Sequence, residues 1–242
     1  MSLRTDAPLL LAYPRGFEQA ESVHFSLDAL LLAAFAPAAQ RAVDLGSGCG
    51  VVGLGLLLRE TAASVIGYDN DPEQVEASRH NAQHLGFANV FAAHCRDVAS
   101  LRPGEVSRAD LVVCNPPWRR RGAERLPASP RRQKALYGDA ETLQLFCRAA
   151  ASCLESGGTL TVVVGADRLA DVLAAMTTAR ISPSRLLSVH PRLKSPARFV
   201  LAEGRYAMSA RLRVLPSLVL HDGDSADYTD EAMDFCPWLR GA

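Results

Sequence analysis

The chain has 242 residues, of which 48% are hydrophobic, so it can bury a full core and is not a disordered protein. Its 26 basic and 26 acidic residues give no net charge, which excludes a strongly basic or acidic protein that binds its partner by bulk charge. The apolar stretch at 29–35 is too short to cross a bilayer and is followed by Pro37, so we expect no membrane partner.

The six cysteines show neither a CxxC pair nor the Cys and His spacing of a zinc site. Several lie in apolar segments, where a reduced cysteine packs as a small hydrophobic residue. We therefore expect no metal site and a reducing, cytoplasmic location.

Short apolar segments alternate with amphipathic segments along the chain. A first helix is predicted at 29–35, with Ser26 as its N-cap. Strands are predicted at 41–45, 64–69, 89–93, 110–115 and 158–164. Further helices are predicted at 53–60, 72–85 and 142–154, and later strands at 186–190, 198–202 and 212–220.

This alternation predicts an α/β fold, in which helices cover both faces of a mostly parallel sheet and the last strands form an antiparallel edge. No linker, repeat or low-complexity segment interrupts the chain. We therefore expect one domain over residues 1–242, with an N-terminal cap or helix at 1–40 and the core at 41–242.

A glycine loop joins the first predicted strand to the next helix, and it reads Asp44-Leu45-Gly46-Ser47-Gly48-Cys49-Gly50. Its glycines permit a tight turn and the close approach of a ligand to the backbone. Asp69, followed by Asn70, ends the second predicted strand, where a carboxylate can accept hydrogen bonds from ribose hydroxyls. Asp97 follows the third strand, and we expect it near an adenine edge. These residues predict a site for a cofactor that contains adenosine.

The glycine loop alone does not identify the cofactor. Gly48-Cys49-Gly50-Val51-Val52-Gly53 also satisfies the GxGxxG pattern of nicotinamide dehydrogenases, and Asp69 follows at the appropriate distance. Asp44 favours S-adenosylmethionine, because its carboxylate would repel a pyrophosphate but can contact an ammonium group. A dehydrogenase also gives no role to the segment described next.

The segment Asn115-Pro116-Pro117-Trp118, called the corner below, follows the apolar run 111–113. Ligands of open α/β sheets bind at the carboxyl ends of the strands. Asn115 supplies a side-chain acceptor there, and Pro116 restricts the backbone so that neighbouring carbonyl groups keep their direction. Trp118 offers a flat face for stacking. The four residues predict a catalytic site for a planar amine, such as the exocyclic nitrogen of a base.

A basic loop at 119–134 follows the corner, with seven basic residues and one acidic residue. A loop of this length beside a predicted site is typical of a functional segment. We therefore predict that it contacts the phosphates of a nucleic-acid substrate, with Arg119, Arg120 and Arg121 closest to the corner.

These motifs together resemble the class I S-adenosylmethionine-dependent methyltransferases, and the corner resembles the N-P-P-[YFW] motif of their amine-methylating branch. The resemblance implies a Rossmann-like fold with a mostly parallel seven-stranded sheet, and S-adenosylmethionine as the cofactor. It places Asp44, the glycine loop, Asp69, Asn70 and Asp97 around that cofactor. The chain departs from the family in having Trp118 for the usual Tyr or Phe and Asp69 for the frequent Glu.

A narrower resemblance is to bacterial tRNA(Val) adenine-N6 methyltransferases, which modify the adenine beside the anticodon. It rests on the segments 25–32, 195–200 and 218–221 and on Tyr228-Thr229. This resemblance implies RNA, and in particular tRNA, as the partner.

Other functions stay open on the sequence alone. A glutamine-amide N5 methyltransferase of the release-factor type presents a planar amide to the same motif, although those enzymes usually carry an additional N-terminal helical domain. A guanine-N2 methyltransferase of rRNA and a non-catalytic protein that binds nucleic acid or cofactor are further alternatives. The basic loop favours RNA over a peptide.

Overall fold

The computed structural model describes residues 13–19, 25–119, 129, 133 and 135–241. Within this part of the chain the α-helices are α1 (Leu27–Phe35), α2 (Val51–Leu58), α3 (Pro72–His84), α4 (Ala140–Cys153), α5 (Leu169–Thr178) and α6 (Asp230–Phe235). The strands are β1 (Ala39–Leu45), β2 (Ala62–Asp69), β3 (Phe91–Cys95), β4 (Ala109–Cys114), β5 (Leu154–Gly165), β6 (Ile181–Arg192), β7 (Phe199–Tyr206), β8 (Arg213–Val214) and β9 (Leu218–His221).

These strands form one sheet in the order β3-β2-β1-β4-β5-β7-β6-β8, and β9 also pairs with β6. The strands from β3 to β5 are parallel, whereas β7 is antiparallel to both β5 and β6. The antiparallel strand β7 lies between β5 and β6, and the sheet of the described residues has nine strands where the resemblance implies seven. The direction of the strand order reverses between β1 and β4, and such a switch point opens a crevice at the carboxyl ends of the strands.

Helices cover both faces of the sheet, as predicted. One apolar layer contains buried residues of α1, α2, α3 and α6, and the other contains those of α4 and α5. Neighbouring strand residues alternate between the layers: Leu111 and Val113 belong to the first and Val112 to the second. The sheet is thus enclosed between two packed apolar layers.

Two features differ from the predicted elements. The strand predicted at 212–220 is divided into β8 and β9. Pro216 lies between them and interrupts the strand, because a proline has no N–H for the ladder. Helices α5 and α6 were not predicted, although Val172, Ala175 and Met176 of α5 are buried at helical spacing. Helix α5 carries Asp171, which pairs with the buried Arg168.

No helix in the described part of the chain is long and apolar enough to cross a membrane.

Candidate active site

A cavity of about 420 Å³ opens at the carboxyl ends of the parallel strands, beside the switch point between β1 and β4. This volume is that of a small-molecule site. Most of the predicted site residues line it: Gly46, Ser47, Gly48, Asp69, Asn70, Asp97, Asn115, Pro116, Pro117, Trp118 and Arg119. The fold therefore brings the glycine loop and the corner to one cavity.

The glycine loop turns sharply at the end of β1. The N–H groups of Gly46 and Ser47 both donate to the carbonyl oxygen of Tyr68, at 2.8 and 3.1 Å, and this ties the loop to β2. Gly46 and Gly48 have φ angles of +70° and +53°, which glycine adopts without steric cost. A β-carbon at Gly46 would also lie 3.3 Å from the Phe146 ring. Glycine therefore permits both the turn and the approach of this ring to the loop.

Asp69 lies half-buried at the end of β2, beside the glycine loop. Its Oδ2 accepts a hydrogen bond from the N–H of Gly48 at 2.8 Å, and its Oδ1 accepts one from the N–H of Asp71 at 2.9 Å. Burial raises the pKa of Asp69, and these two hydrogen bonds oppose the rise. Because a carboxylate has about four acceptor sites, both oxygens keep a lone pair for a hydroxyl donor. The position suits the predicted contact with ribose hydroxyls.

Asn70 and Asp97 lie on the exposed rim beyond Asp69. The Nδ2 of Asn70 donates to the Oδ2 of Asp97 at 3.4 Å. The Oδ1 of Asp97 accepts from the N–H of Ala99 at 2.8 Å and caps a short 3₁₀ turn that brings the buried Val98 to the cavity wall. Polar groups and an apolar side chain are thus placed together, as binding an adenine ring requires.

Asp44 and Gly50 do not line the cavity. Asp44 is 1% exposed, and its Oδ2 accepts a hydrogen bond from the N–H of Gly53 in α2 at 2.9 Å. Burial raises the pKa of Asp44 to about 7, and the Gly53 hydrogen bond opposes the rise. Gly50, with φ of +86°, is the N-cap of α2. Any effect of these two residues on a ligand therefore acts through the position of the glycine loop, and not through the direct ammonium contact predicted for Asp44.

Asn115 follows β4 directly and contacts helix α1. Its Nδ2 donates to the Oδ2 of Asp28 at 3.2 Å. No residue in the described part of the chain donates a hydrogen bond to the Oδ1 of Asn115 or to the carbonyl oxygen of Pro116. The corner therefore retains two acceptors, which match the two N–H donors of an exocyclic amine.

The indole of Trp118 packs against the end of β5. A β-carbon at Gly165 would lie 2.6 Å from its Cζ3. Phe199 meets the indole edge-on, with 6.0 Å between ring centroids and 81° between planes. The Arg119 guanidinium lies 5.7 Å from the indole centroid. Gly165 thus supplies the space that a Trp requires where the family usually has a smaller ring.

Arg168 is buried beside the corner and binds its backbone. Its side chain is 2% exposed, and its Nη1 donates to the carbonyl oxygens of Trp118 and Gly138 at 3.0 and 2.8 Å. Its Nε pairs with the Oδ2 of Asp171 on α5 at 2.7 Å. Because Trp118 precedes the basic loop and Gly138 follows it, one buried guanidinium holds both ends of this loop.

The backbone also closes the base of the basic loop. The N–H of Arg119 donates to the carbonyl oxygen of Leu136 at 2.9 Å, and the N–H of Gly138 donates to that of Arg119 at 3.2 Å. A β-carbon at Gly138 would lie 2.2 Å from the carbonyl oxygen of Pro117, so the returning chain packs directly on the corner. Of the predicted substrate residues, Arg119 lies at this base; Arg120 and Arg121 lie outside the described residues.

Asp28, Gly165 and Arg168 were not among the predicted site residues. Asp28 had a signal in the sequence, because it is the charged residue of the otherwise apolar helix α1. Ser26 occupies the predicted N-cap position, but its hydroxyl donates to the Oδ1 of Asp28 and caps no backbone N–H. Gly165 and Arg168 reach the corner only through the pairing of β4 with β5.

No group of three or more His, Cys, Asp or Glu side chains in the described part of the chain is arranged to hold a metal ion.

The sheet order, the cavity at its switch point and the corner define a class I methyltransferase. Residues 26–177, more than half of the chain, match the model of the methyltransferase small domain family, and the chain belongs to that family.

Two relatives carry the same name. The tRNA1(Val) (adenine(37)-N6)-methyltransferase of Salmonella arizonae is 32% identical over 140 residues, which is 57% of this chain and 56% of that protein. This chain thus spans little more than half the length of that relative. The protein of the same name from Porphyromonas gingivalis is 31% identical over 208 residues, which is 80% of each chain.

Solved structures agree on the fold. A protein from Agrobacterium tumefaciens described as a predicted O-methyltransferase has a TM-score of 0.68 and 23% identity, and the match covers 88% of this chain and 97% of that one. Geranyl diphosphate C-methyltransferase from Streptomyces coelicolor A3(2), a complex with S-adenosyl-L-homocysteine, has a TM-score of 0.51 and 13% identity over 74% of each chain. The predicted methyltransferase fold is confirmed, and S-adenosylmethionine is the cofactor that family and fold imply.

The cavity fits this cofactor. The Oγ of Ser47 is buried and has no hydrogen-bond partner in the described part of the chain, so a bound polar group can satisfy it. The carboxylate of Asp69 retains acceptor sites for the ribose, and Val98 and Phe146 provide apolar walls. Which residues hold each part of the cofactor stays a prediction.

Proposed function

We propose that this chain methylates the N6 amine of an adenine in tRNA, near the anticodon. The observation that carries the proposal is the pair of unoccupied acceptors at the corner, on Asn115 and Pro116, inside the cavity that fits the cofactor. The names of the two relatives support adenine N6 and tRNA. The substrate and the six free cysteines fit a cytoplasmic enzyme.

When bound, S-adenosylmethionine would supply an electrophilic methyl group on a sulfonium: its carbon–sulfur bond breaks as the carbon–nitrogen bond forms, the thioether leaves, and the methylated amine loses one proton to solvent. An exocyclic amine is a poor nucleophile, because its lone pair is delocalised into the aromatic ring. The corner can make this lone pair available. The Asn115 Oδ1 and the Pro116 carbonyl oxygen accept the two N–H bonds of the amine and favour a pyramidal nitrogen with an available lone pair. Orientation of this kind contributes roughly 7–11 kcal/mol in favourable cases. The same oxygens stabilise the positive charge that develops on the nitrogen.

Trp118 stacks on the target base in this proposal. A base must leave its helical stack to enter the cavity, and this costs least in a loop such as the anticodon loop. Stacking on an aromatic side chain returns about 1–3 kcal/mol per base. Because Gly165 and Phe199 position the indole, its orientation is set before the base enters.

Gly165→Ala is expected to lower kcat/KM for tRNA about tenfold, since the new β-carbon displaces the indole of Trp118 and with it the stacking energy. The backbone at Gly165, with φ of −58° and ψ of 143°, accepts alanine without strain. The new β-carbon would also lie 2.7 Å from the Oδ1 of Asp167, so a second change at Trp118 is needed to isolate the effect on the ring. Steady-state kinetics on tRNA measures it. Adding Trp118→Phe, which shortens the ring, is expected to restore part of the loss; a double variant as slow as Gly165→Ala alone would contradict this explanation.

The experiment that tests the proposed function is transfer of labelled methyl groups to bulk tRNA, bulk rRNA and a release factor, followed by identification of the modified residue. We expect label in tRNA as N6-methyladenosine. Label in the release factor as methylglutamine, or in rRNA as N2-methylguanosine, would replace the proposal by the corresponding alternative. No transfer to any of the three, by a protein that binds the cofactor, would favour a non-catalytic role.

Replacing Arg119, Arg120 and Arg121 with Ala is expected to flatten the dependence of tRNA affinity on salt. Each lost phosphate contact removes about 0.7–0.9 from the slope of log K against log salt concentration. Binding titrations across a salt series measure this slope. A control replaces two arginines, Arg211 and Arg213, which are exposed just before and in β8 on the far edge of the sheet, and its change of slope is compared per arginine removed. Equal slopes for the wild type and the triple variant would show that these arginines are only solvated.

A further inference from the structure

Asp28 is a buried acid in the wall of the cavity that none of the roles described above uses. It lies in the first turn of α1 and is 4% exposed. One of its oxygens, Oδ1, accepts a hydrogen bond from the Ser26 hydroxyl, and the other, Oδ2, accepts from the Nδ2 of Asn115 at 3.2 Å. A carboxylate buried at this depth needs such partners, so the contact with Asn115 is a stable part of the site.

The contact matters because the amide of Asn115 has two chemically different ends. Its NH₂ group donates and its oxygen accepts, and a half-turn of the side chain exchanges them. An ionised carboxylate can only accept hydrogen bonds, so only the NH₂ end can face Asp28. The Oδ1 of Asn115 is then directed away from Asp28, as an acceptor for the substrate. Ser26 supports this arrangement by holding the other oxygen of the carboxylate.

The carboxylate has a second effect on the same amide. When the Nδ2 of Asn115 donates to an anion, the amide is polarised and its oxygen becomes a stronger acceptor. The negative charge of Asp28, which contacts the Asn115 amide, also favours the positive charge that develops on the nitrogen during transfer.

We propose that Asp28 is the positioning residue of the reaction: it selects the orientation of the Asn115 amide that offers an oxygen to the target amine. The inference rests on the proposed amine methylation, but it does not depend on whether the amine belongs to adenine, guanine or glutamine. Asp28 acts through Asn115 and is not itself a catalytic residue.

Asp28→Asn is the most informative single change, because it keeps the shape of the side chain and removes its acceptor-only character. The new amide can pair with either end of Asn115, so both orientations become populated. We expect kcat to fall about tenfold. The KM for tRNA and the affinity for S-adenosylhomocysteine should stay within about twofold of the wild type, because Asp28 acts through Asn115 on an interaction that strengthens in the transition state.

A reciprocal exchange of the two side chains tests the orientation itself. Asn115→Asp alone places two carboxylates opposite each other and should be nearly inactive. Combining it with Asp28→Asn reverses the direction of the hydrogen bond: the amide at 28 donates, and the carboxylate at 115 keeps a free oxygen for the amine. We expect the double variant to exceed Asn115→Asp at least tenfold in kcat, a rescue that a role in folding alone does not produce.

The experiment uses the full chain and has two readouts. Turnover is measured on whichever of tRNA, rRNA or release factor the wild type methylates, and S-adenosylhomocysteine affinity by calorimetry. Independently of substrate, the side-chain NH₂ resonances of Asn115, assigned by their loss in Asn115→Asp, should shift in Asp28→Asn and shift less in Ser26→Ala. Unchanged resonances overturn the inference even when no substrate is found, so its failure is distinct from failure of the proposed function.

Three further results would overturn it. An Asp28→Asn variant with wild-type kcat would show that the amide needs no such selection. A parallel loss of S-adenosylhomocysteine affinity would identify Asp28 as a cofactor ligand. A double variant no faster than Asn115→Asp would show that the hydrogen bond at 3.2 Å does not set the acceptor. Melting temperatures identify variants that fail to fold. Ser26→Ala, which alters the contact of only one oxygen of Asp28, then serves in their place. We expect its kcat to fall by a smaller factor, and a wild-type kcat would refute the role.

Discussion

Asn115→Ala is expected to lower kcat by at least two orders of magnitude while leaving cofactor affinity within about threefold. The size follows from comparable sites, where removal of one group that stabilises the transition state costs about 10²–10³ in kcat. The cofactor is spared because the predicted cofactor residues lie along β1 to β3, whereas Asn115 follows β4. Single-turnover methyl transfer measures the loss of rate, and calorimetry with S-adenosylhomocysteine measures the cofactor affinity.

The matched control is Asn70→Ala, which removes the same amide from the cofactor side of the cavity. Asn70 is exposed and pairs with Asp97 at 3.4 Å, so its loss should weaken cofactor binding by only a few-fold. With saturating cofactor its kcat should match the wild type. If Asn115→Ala lost cofactor affinity and turnover equally, Asn115 would be a cofactor or folding residue and the proposed chemistry would fail.

The parts of this site that the sequence predicts are contiguous in the chain. The glycine loop and the corner each combine a turn, a backbone requirement and a functional group within a few residues, so each can be recognised locally. Both line the cavity. The strands that carry them were predicted as well, because short apolar runs bounded by turn residues are a local signal.

The parts that the sequence did not predict depend on contacts between distant residues. Asp28 and Asn115 are 87 residues apart, and Arg168 and Trp118 are 50 apart. Hydrophobic pattern identifies strands but not their neighbours, so the insertion of β7 between β5 and β6 was not predicted. The face of the sheet on which the Asp44 side chain lies could not be predicted either. The last four residues of β1 are all buried, and a strand buried on both faces shows no alternation of apolar and polar residues that would indicate the face.

Arg168→Leu is expected to lower the free energy of unfolding by about 3–5 kcal/mol, the usual cost of breaking a buried charged contact by removing one partner. The guanidinium is fully buried and binds two carbonyl groups and Asp171, whereas leucine offers no donor to any of them. Denaturant unfolding followed by circular dichroism measures the loss. Kinetics below the unfolding midpoint measures the effect on turnover.

Turnover should fall together with stability in this variant, because the carbonyl of Trp118 and the base of the basic loop lose their common support. The control is Arg185→Leu. Arg185 donates to the carbonyl oxygen of Phe35 and pairs with Glu203, both at 2.8 Å, in a part of β6 that does not line the cavity. Its loss should destabilise the fold but leave kcat unchanged.

The comparison of the two arginines separates a general effect of stability from a specific effect on the corner. Equal kcat losses in Arg168→Leu and Arg185→Leu, scaled to their losses of stability, would mean that any loosening of the sheet disturbs the site. A selective loss in Arg168→Leu, larger for tRNA than for the cofactor, is the result expected if this side chain holds Trp118 in place for the incoming base. In that case catalysis at the corner depends on a residue that touches neither ligand and becomes a neighbour only when β4 pairs with β5.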